Sequence, residues 1–513
     1  MLGGSIIDAA IVEAPETAKT RPCHLWHMAG AGADQTVGQK DRAPRTVSPV
    51  MTGLRAFAGR LVAALLLVPF LPPGIAVGQD TDAAVTVLTS FPAGFYEPVR
   101  EAFEATHPDW RLRIVNTKTT AAISQLQERS DGGVDVFWAS APDAFEVLKA
   151  AKRLEPVVPP PTGAPPTIGN QPINDPDGAY LGFALSGYGL LWNQRYLDRH
   201  GLPTPKRWED LRHPIYARHL GITAPSRSGT MHLMVETVLQ MQGWERGWAT
   251  WLEIAGNLAT VTARSYGVAD GIAKGRFGVG LSIDFLGQSA GLEEDDLRFA
   301  YPADSLFLPA SVALLRGAPN PDGARAFIDF LLSPAGQALL VRPDIQRLPV
   351  RPDAYAAAPA GYPDPYRTET GDDLFLFDRA LSGARYELVN LLFDELVTFR
   401  VKTLNRVWQL IHEGEARLHA LYGSANHEPV AADLLRAARA AATAVPVSAA
   451  EAADPAFSTV LRRPARGLPV SSRQAEQEAA WRAFSRQRLD EALALAERAL
   501  IILRVAGGEG VWP

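Results

Sequence analysis

The sequence predicts an α/β protein built on a parallel sheet and extended at its C-terminal end by helices. Two observations carry this. Between residues 84 and 150 a strand–loop–helix pattern occurs three times in succession, the signature of a parallel α/β sheet. Beyond about residue 405 the chain turns rich in Ala, Arg, Leu and Glu with helical periodicity.

Taken in order, the β-branched run AVTVL predicts a strand over 84–88, with Thr89-Ser90-Phe91-Pro92 as the turn after it. Residues 96–106 read as a helix with Val99 and Phe103 inside. His107-Pro108 stops it, because the residue before a proline is held out of the helical region. A second strand is expected over 112–115, a loop over 116–120 and a second helix over 121–129. VDVFWAS gives the third strand, ending at Ala139-Ser140. APDAFEVLKAA gives the third helix, with Pro142 in its first turn. A Pro-rich stretch, 156–176, reads as irregular loop, and LGFALSGYGLLWNQ as a strand with a Gly-Tyr-Gly interruption. PKRWEDL starts a helix, HLGITAPSRSGT is a strand and its following turn, and 244–254 is a helix. A further strand ends near Ser282-Ile283-Asp284. FLPASVALLRGAPNPDGARAFIDFLLSPAGQALLV is strand, turn and long amphipathic helix, with Pro321 at the first helical position and Asp322 in the first turn. A loop over 445–474 interrupts the helical tail.

The chain has 513 residues, enough for roughly three domains of ~150 residues. Hydrophobic content of 47% and charged content of 21% are ordinary for a globular protein. A formal net charge of -6 is small for this length and argues against a polyanion partner, so nucleic acid is set aside. Cys23 is the only cysteine, which excludes a disulfide within the chain and a Cys-rich metal site. From Met51 the chain reads as a signal peptide over 51–78. Arg55 and Arg60 supply the basic region, 61–71 the apolar region and Ala76-Val77-Gly78 the small residues of a cleavage site. The apolar run is shorter than the ~20 residues that span a bilayer. Residues 1–50 read as a non-native or disordered extension, with translation expected to begin at Met51.

In parallel α/β sheets ligands sit beyond the carboxyl ends of the strands. Here those ends carry Thr89 and Ser90, Thr119 and Thr120, and Ser140 and Ala141. The richest stretch is APSRSGTMHLMVETVLQ, 224–240, in which Ser226, Arg227, Ser228, Gly229 and Thr230 crowd the expected start of a helix near Gly229. One hydroxyl caps a helix. Several hydroxyls, an arginine and a glycine that lets the backbone approach suit an anion, since a helix start offers free N–H groups and partial positive charge. Arg227 adds a charge-assisted pair suited to phosphate. His232 and Glu236 lie farther along, open to ligand contact or packing. No Ser-His-Asp order, paired carboxylates, His-rich metal spacing or P-loop occurs, so no catalysis, cofactor or metal is expected.

The stretches LTSFPAGFYEPVREAFEATHP, VDVFWASAPDAFEVLK, SGYGLLWN, SRSGTMHLMVE and GAPNPDGARAFIDFLLSPAGQALL, in this order and spacing over about 84–400, resemble the periplasmic solute-binding proteins of ABC importers. The nearest likeness is to the ferric-ion-type binding proteins and their phosphonate, phosphoglycerate and sugar-phosphate binding relatives. The resemblance implies a two-lobed periplasmic binding protein fold of type II with a helical extension over 405–513. Lobe one would be 84–180 plus 316–400, lobe two 193–300, and the crossover hinge strands 181–192 and 310–316. It adds Ser186 and Tyr188 at the first crossover, Ser265 in a further cleft loop, and Asp284, which either accepts from a ligand or ends a strand at a surface turn. Iron-binding members carry adjacent tyrosines where this chain has Ile283, Asp284 and Phe285, so an organic phosphate or phosphonate is expected in preference to Fe(III). The implied partners are a small anionic solute and an inner-membrane permease, with a membrane sensor kinase as the alternative.

Overall fold

A computed structural model describes residues 84–128, 133–302, 305–367, 375–423, 429–461 and 469–509, all within the compact unit Asp80–Pro513. The expected extension 1–50 and signal peptide 51–78 lie outside the described residues.

Lobe one is a sheet in which Ala84–Thr89 pairs in parallel with Arg111–Asn116 on one side and Val136–Ala139 on the other. Strand Phe307–Leu315 then joins antiparallel to Val136–Ala139. Lobe two aligns Val279–Ile283, Leu220–Thr223 and Leu258–Thr262 in parallel. One long strand, Leu181–Asn193, joins the two sheets. Its residues 181–187 pair with Phe307–Leu315 on lobe one, and from Tyr188 onward it pairs with Val279–Ile283 on lobe two. The strand thus passes from one sheet to the other between Gly187 and Tyr188.

The Gly-Tyr-Gly in this strand does not interrupt it. Gly187 and Gly189 lie under the rings of Tyr301 and Phe299, at 2.4 and 2.6 Å from where a Cβ would stand, so a close approach rather than a turn requires glycine. PKRWEDL yields only a 3-10 turn, Trp208–Arg212.

Lobe one has its own apolar core, in which Phe91, Phe95, Trp138 and Phe183 meet edge-to-face, tilted or stacked within 5.0–6.3 Å. The expected tail helices form as Val401–Tyr422, Pro429–Ala442 and Ser472–Ala506, and they pack on one another. They share a continuous core with lobe two, where Trp248 and Trp251 face Phe393. Asn405 Nδ2 donates to the Gly256 carbonyl at 2.7 Å, and Trp244 Nε1 to the Val447 carbonyl at 2.8 Å. Residues 375–400, which the resemblance assigns to lobe one, touch both lobes. Helix Arg379–Ala384 lies on the lobe-one helix Pro142–Ala150, and helix Tyr386–Phe393 on the lobe-two helix Gly229–Gln242.

Candidate anion-binding site

Between the lobes lies a cavity of about 60 Å³. Lobe one contributes Ser90, Phe91, Pro92, Lys118, Thr119 and Ser140, all just beyond the carboxyl ends of its three parallel strands. Lobe two contributes Arg227, Ser228, Gly229, Thr230, Arg264, Ser265, Tyr266, Ile283, Phe285 and Leu286. Three cations face the space, and none of the described lining residues is a carboxylate. Helices Thr119–Glu128, Gly229–Gln242 and Tyr266–Ala273 each place their first residue in the wall. Each such terminus contributes about half a positive charge and free N–H groups. Room for about four to six water-sized groups matches one phosphoryl group with a short attachment.

The stretch 224–240 folds as a strand end, a 3-10 turn Pro225–Arg227 and then helix Gly229–Gln242. Ser228 caps that helix, its Oγ accepting from Met231 N at 3.2 Å. The same oxygen lies 2.6 Å from Ser265 Oγ, so cap and cavity wall share one hydroxyl. Arg227 is steadied by donation from Nη1 to the Thr262 carbonyl at 3.2 Å. On lobe one Thr119 Oγ1 donates to Ser90 Oγ at 3.0 Å. Two contacts cross the cleft: Thr120 Oγ1 donates to the Ser226 carbonyl at 3.2 Å, and Ser140 Oγ meets Thr230 Oγ1 at 3.4 Å. Gly229 lies against Ala141 and Thr119. The lobes are therefore closed on one another.

Of the residues expected at the site, Ser90, Thr119, Ser140, Arg227, Ser228, Gly229, Thr230 and Ser265 line the cavity together. The others stand elsewhere. Thr89 accepts from Phe91 N at 3.2 Å and shapes the turn. Thr120, Ala141 and Ser226 form the lobe contact just described. Ser186 and Tyr188 are buried in the crossover strand. Asp284 is turned inward to the hinge: its carboxylate accepts from Gly187 N at 2.6 Å, Phe285 N at 2.7 Å and Tyr301 Oη at 3.2 Å. Burial nonetheless pushes its pKa up to about 6.

His232 is fully buried in a polar cluster, with Nδ1 3.0 Å from Asn390 Oδ1 and Nε2 3.3 Å from Ser382 Oγ. Ser382 Oγ also donates to Asp143 Oδ2 at 3.0 Å. Burial pushes Asp143 up to about 8 and His232 down to about 4, so near pH 7 both are uncharged. Their 3.4 Å approach is then not an ion pair. Glu236 instead makes a buried two-pronged pair with Arg385, Nε at 2.8 Å and Nη2 at 2.7 Å.

Sequence reasoning did not select Lys118 or Arg264. Arg264-Ser265 repeats, at another strand end, the Arg227-Ser228 pattern, and that repetition is the signal that would have found it. Lys118 stands in the hydroxyl-rich loop 116–120.

The family of bacterial extracellular solute-binding proteins matches residues 133–368. The chain is 33% identical over 344 residues to the phosphoglycerate transport regulatory protein PgtC of Salmonella typhimurium, covering 67% of this chain and 81% of that protein. Among solved structures, the periplasmic binding protein AfuA from Actinobacillus pleuropneumoniae, with fructose-6-phosphate bound, superposes with a TM-score of 0.53. It is 18% identical, covering 63% of this chain and 97% of that one. The periplasmic binding protein P5PA gives a TM-score of 0.51 at 18% identity over 59% of this chain and 94% of that one. At such identity the structures share the fold alone. The match over 133–368 and the sequence relationship to PgtC show that this chain belongs to the bacterial extracellular solute-binding protein family.

Proposed function

We propose that the protein is the periplasmic substrate-binding component of an ABC importer, exported by the signal peptide at 51–78. In this reading it captures a small organic phosphate or phosphonate between its lobes and delivers it to a membrane permease. The observation that carries the reading is the cavity wall. Lys118, Arg227 and Arg264, six hydroxyl side chains of Ser and Thr and three helix starts surround it, with no carboxylate among the described lining residues. Such a wall attracts an anion and offers donors from several directions. Hard-metal chemistry has little support there: Tyr266 is the only tyrosine among the described lining residues, and Phe285 stands in the wall next to Asp284. No covalent step belongs to this function.

A second reading, ligand sensing for a membrane kinase, is favoured by the relative's name as a transport regulatory protein. A neighbouring permease and ATPase gene pair supports transport, and a histidine-kinase gene supports sensing.

The test is a thermal-shift screen over phosphoglycerates, sugar phosphates, phosphonates, inorganic phosphate and Fe(III). A ligand at about 100 times its Kd stabilises by ~2.7 kcal/mol. A shift with an organic phosphate is the expected result. A shift with Fe(III) alone, accompanied by a visible phenolate charge-transfer band, overturns the anion reading.

A further inference from the structure

The site has a fourth cation that does not face the cavity. Arg347 is 1% exposed, and none of its three guanidinium nitrogens has a hydrogen-bonding partner among the described residues. A buried, unbonded cation is costly, so its retention calls for a role. Its backbone is fixed at both ends, N donating to the Leu340 carbonyl at 2.8 Å and O accepting from Tyr362 Oη at 2.8 Å. The guanidinium carbon lies 3.7 Å from the ring centroid of Phe285, 4.2 Å from Phe95 and 4.3 Å from Phe91. Phe91 belongs to lobe one and Phe285 to lobe two, and both line the anion cavity. The cation is therefore one ring's thickness behind the wall, at the seam where the lobes meet.

Two more buried groups in the crossover strand have no hydrogen-bonding partner among the described residues, the hydroxyls of Ser186 and Tyr188. Leu348 pairs with Leu185, which brings Arg347 to the edge of the strand carrying both. Tyr188 and Asp284 are close enough to Arg347 to act on it electrostatically. The Asp284 carboxylate is already engaged by Gly187, Phe285 and Tyr301. Three aromatic rings crowd the guanidinium carbon and offer its N–H groups no acceptor. Those N–H bonds lie in the guanidinium plane, so the acceptor that suits them is one that meets the fork in two prongs, as a carboxylate does.

We propose that Arg347, with Ser186 and Tyr188, is an inner subsite that takes a carboxylate on the same ligand whose phosphate sits among Arg227, Lys118 and Arg264, reached when Phe91 and Phe285 part. The proposal rests on the anion reading of the cavity and narrows it: the ligand is a phosphorylated acid rather than a neutral phosphate ester.

The experiment is calorimetric titration of 3-phosphoglycerate and glycerol 3-phosphate, which differ in a carboxylate against a hydroxymethyl group. The proteins are the wild type, Arg347→Met and Arg347→Lys. The wild type is expected to favour the acid by about 10- to 100-fold, the usual worth of hydrogen bonds to a charged group. Arg347→Met brings that ratio close to one, and Arg347→Lys, which keeps the charge but not the fork, leaves a ratio between the two. Ligand-free Arg347→Met should melt no lower than wild type, since the substitution removes a desolvated charge. If Arg347 only clamps the rings together, Arg347→Met melts lower and the ratio is unchanged, which overturns the proposal. Should Arg347→Met fail to fold, the ratio in Arg347→Lys decides: a wild-type ratio there refutes the subsite. Equal wild-type affinities for the two esters also refute it while leaving the anion reading standing. Binding of neither ester refutes the subsite, and the anion reading then falls only if the sugar phosphates, phosphonates and inorganic phosphate of the screen also fail to bind.

Discussion

Closure of the lobes can be tested at one atom. A Cβ added to Gly229 would stand 2.9 Å from Ala141 Cβ and 3.1 Å from Thr119 Cγ2, both across the cleft. Carbon atoms prefer about 3.5–4.0 Å, so Gly229→Ala demands a local retreat of roughly 0.6–1.1 Å. Ala141 Cβ is fixed to its backbone and cannot swing aside. Overpacking of this kind costs about 1–3 kcal/mol. Because Gly229 is on lobe two and its neighbours on lobe one, that cost falls only on the closed arrangement. Ligand affinity should drop by about 5- to 150-fold. The fold itself is spared: Gly229 begins a helix, where alanine is preferred over glycine by up to about 1 kcal/mol. Calorimetric titration with the best ligand of the screen measures the affinity, and small-angle scattering at saturation measures the radius of gyration. An undiminished affinity with a wild-type bound radius would refute the closed site.

Other outcomes follow from the same geometry. Arg227→Ala should weaken binding by about 10- to 100-fold in the same titration, with little change in unfolding. Ser228→Ala should also lower stability by about 0.5–2 kcal/mol in urea unfolding, because Ser228 caps the helix as well as lining the cavity. Arg385→Met leaves buried Glu236 without its cationic partner and should cost about 3–5 kcal/mol, with much of the loss recovered when Glu236→Met is added. The buried cluster also predicts a pH dependence. Asp143 holds its proton in the fold up to about 8, against 3.8 when free, so its contribution is complete below 3.8 and is lost as pH rises through 8. Asp143→Asn stays neutral, so its melting temperature should gain on the wild type from pH 4 to pH 8. His232 acts in the opposite sense: its pKa falls from 6.5 to about 4 in the fold, so stability falls between those values on acidification, in both proteins.

The parts of the site legible in the sequence were those built by local rules. Ser228, Gly229 and Thr230 fall at a helix start, and Ser90, Thr119 and Ser140 follow the ends of parallel strands, so position along the chain was enough to bring them together. What was not legible depends on contacts between distant segments. Asp284 reads as the end of a strand in either of its expected roles. Its carboxylate is instead turned to Gly187 N–H, 97 positions away in the chain, at the point where the crossover strand changes sheets. His232 sits two residues past the cavity-lining Thr230 but points the other way on the helix, toward Asn390 and Ser382. Arg347 belongs to no motif at all. Only the packing of Phe91, Phe95 and Phe285 around it reveals a guanidinium without a hydrogen-bonding partner among the described residues. The Gly-Tyr-Gly was misleading because glycine here makes room for Tyr301 and Phe299 in a continuous strand.

The segment 375–400 alters the mechanics of a two-lobed binder. In the plainest version of the fold only the crossover strands resist opening. Here Ser382 touches Asp143 of lobe one and His232 of lobe two at once, so parting the lobes must break at least one buried hydrogen bond. An unsatisfied buried group costs about 1–3 kcal/mol, comparable with the whole coupling energy of many ligand-driven transitions. The two attachments differ in strength. Toward lobe two the segment has the Arg385–Glu236 pair, the Asn390–His232 contact and the apolar packing of Phe393 on Trp248 and Trp251. Toward lobe one the polar ties are Ser382 to Asp143, Arg379 to the Pro172 carbonyl and Gln171 Nε2 to the Phe375 carbonyl. Of these ties only the Arg385–Glu236 pair is ionic, and it fastens the segment to lobe two, while the apolar core behind it runs through both lobes and the tail helices. Parting the lobes at Ser382 separates it from Asp143 or from His232, so opening the cavity and disrupting the buried polar cluster share one free-energy balance.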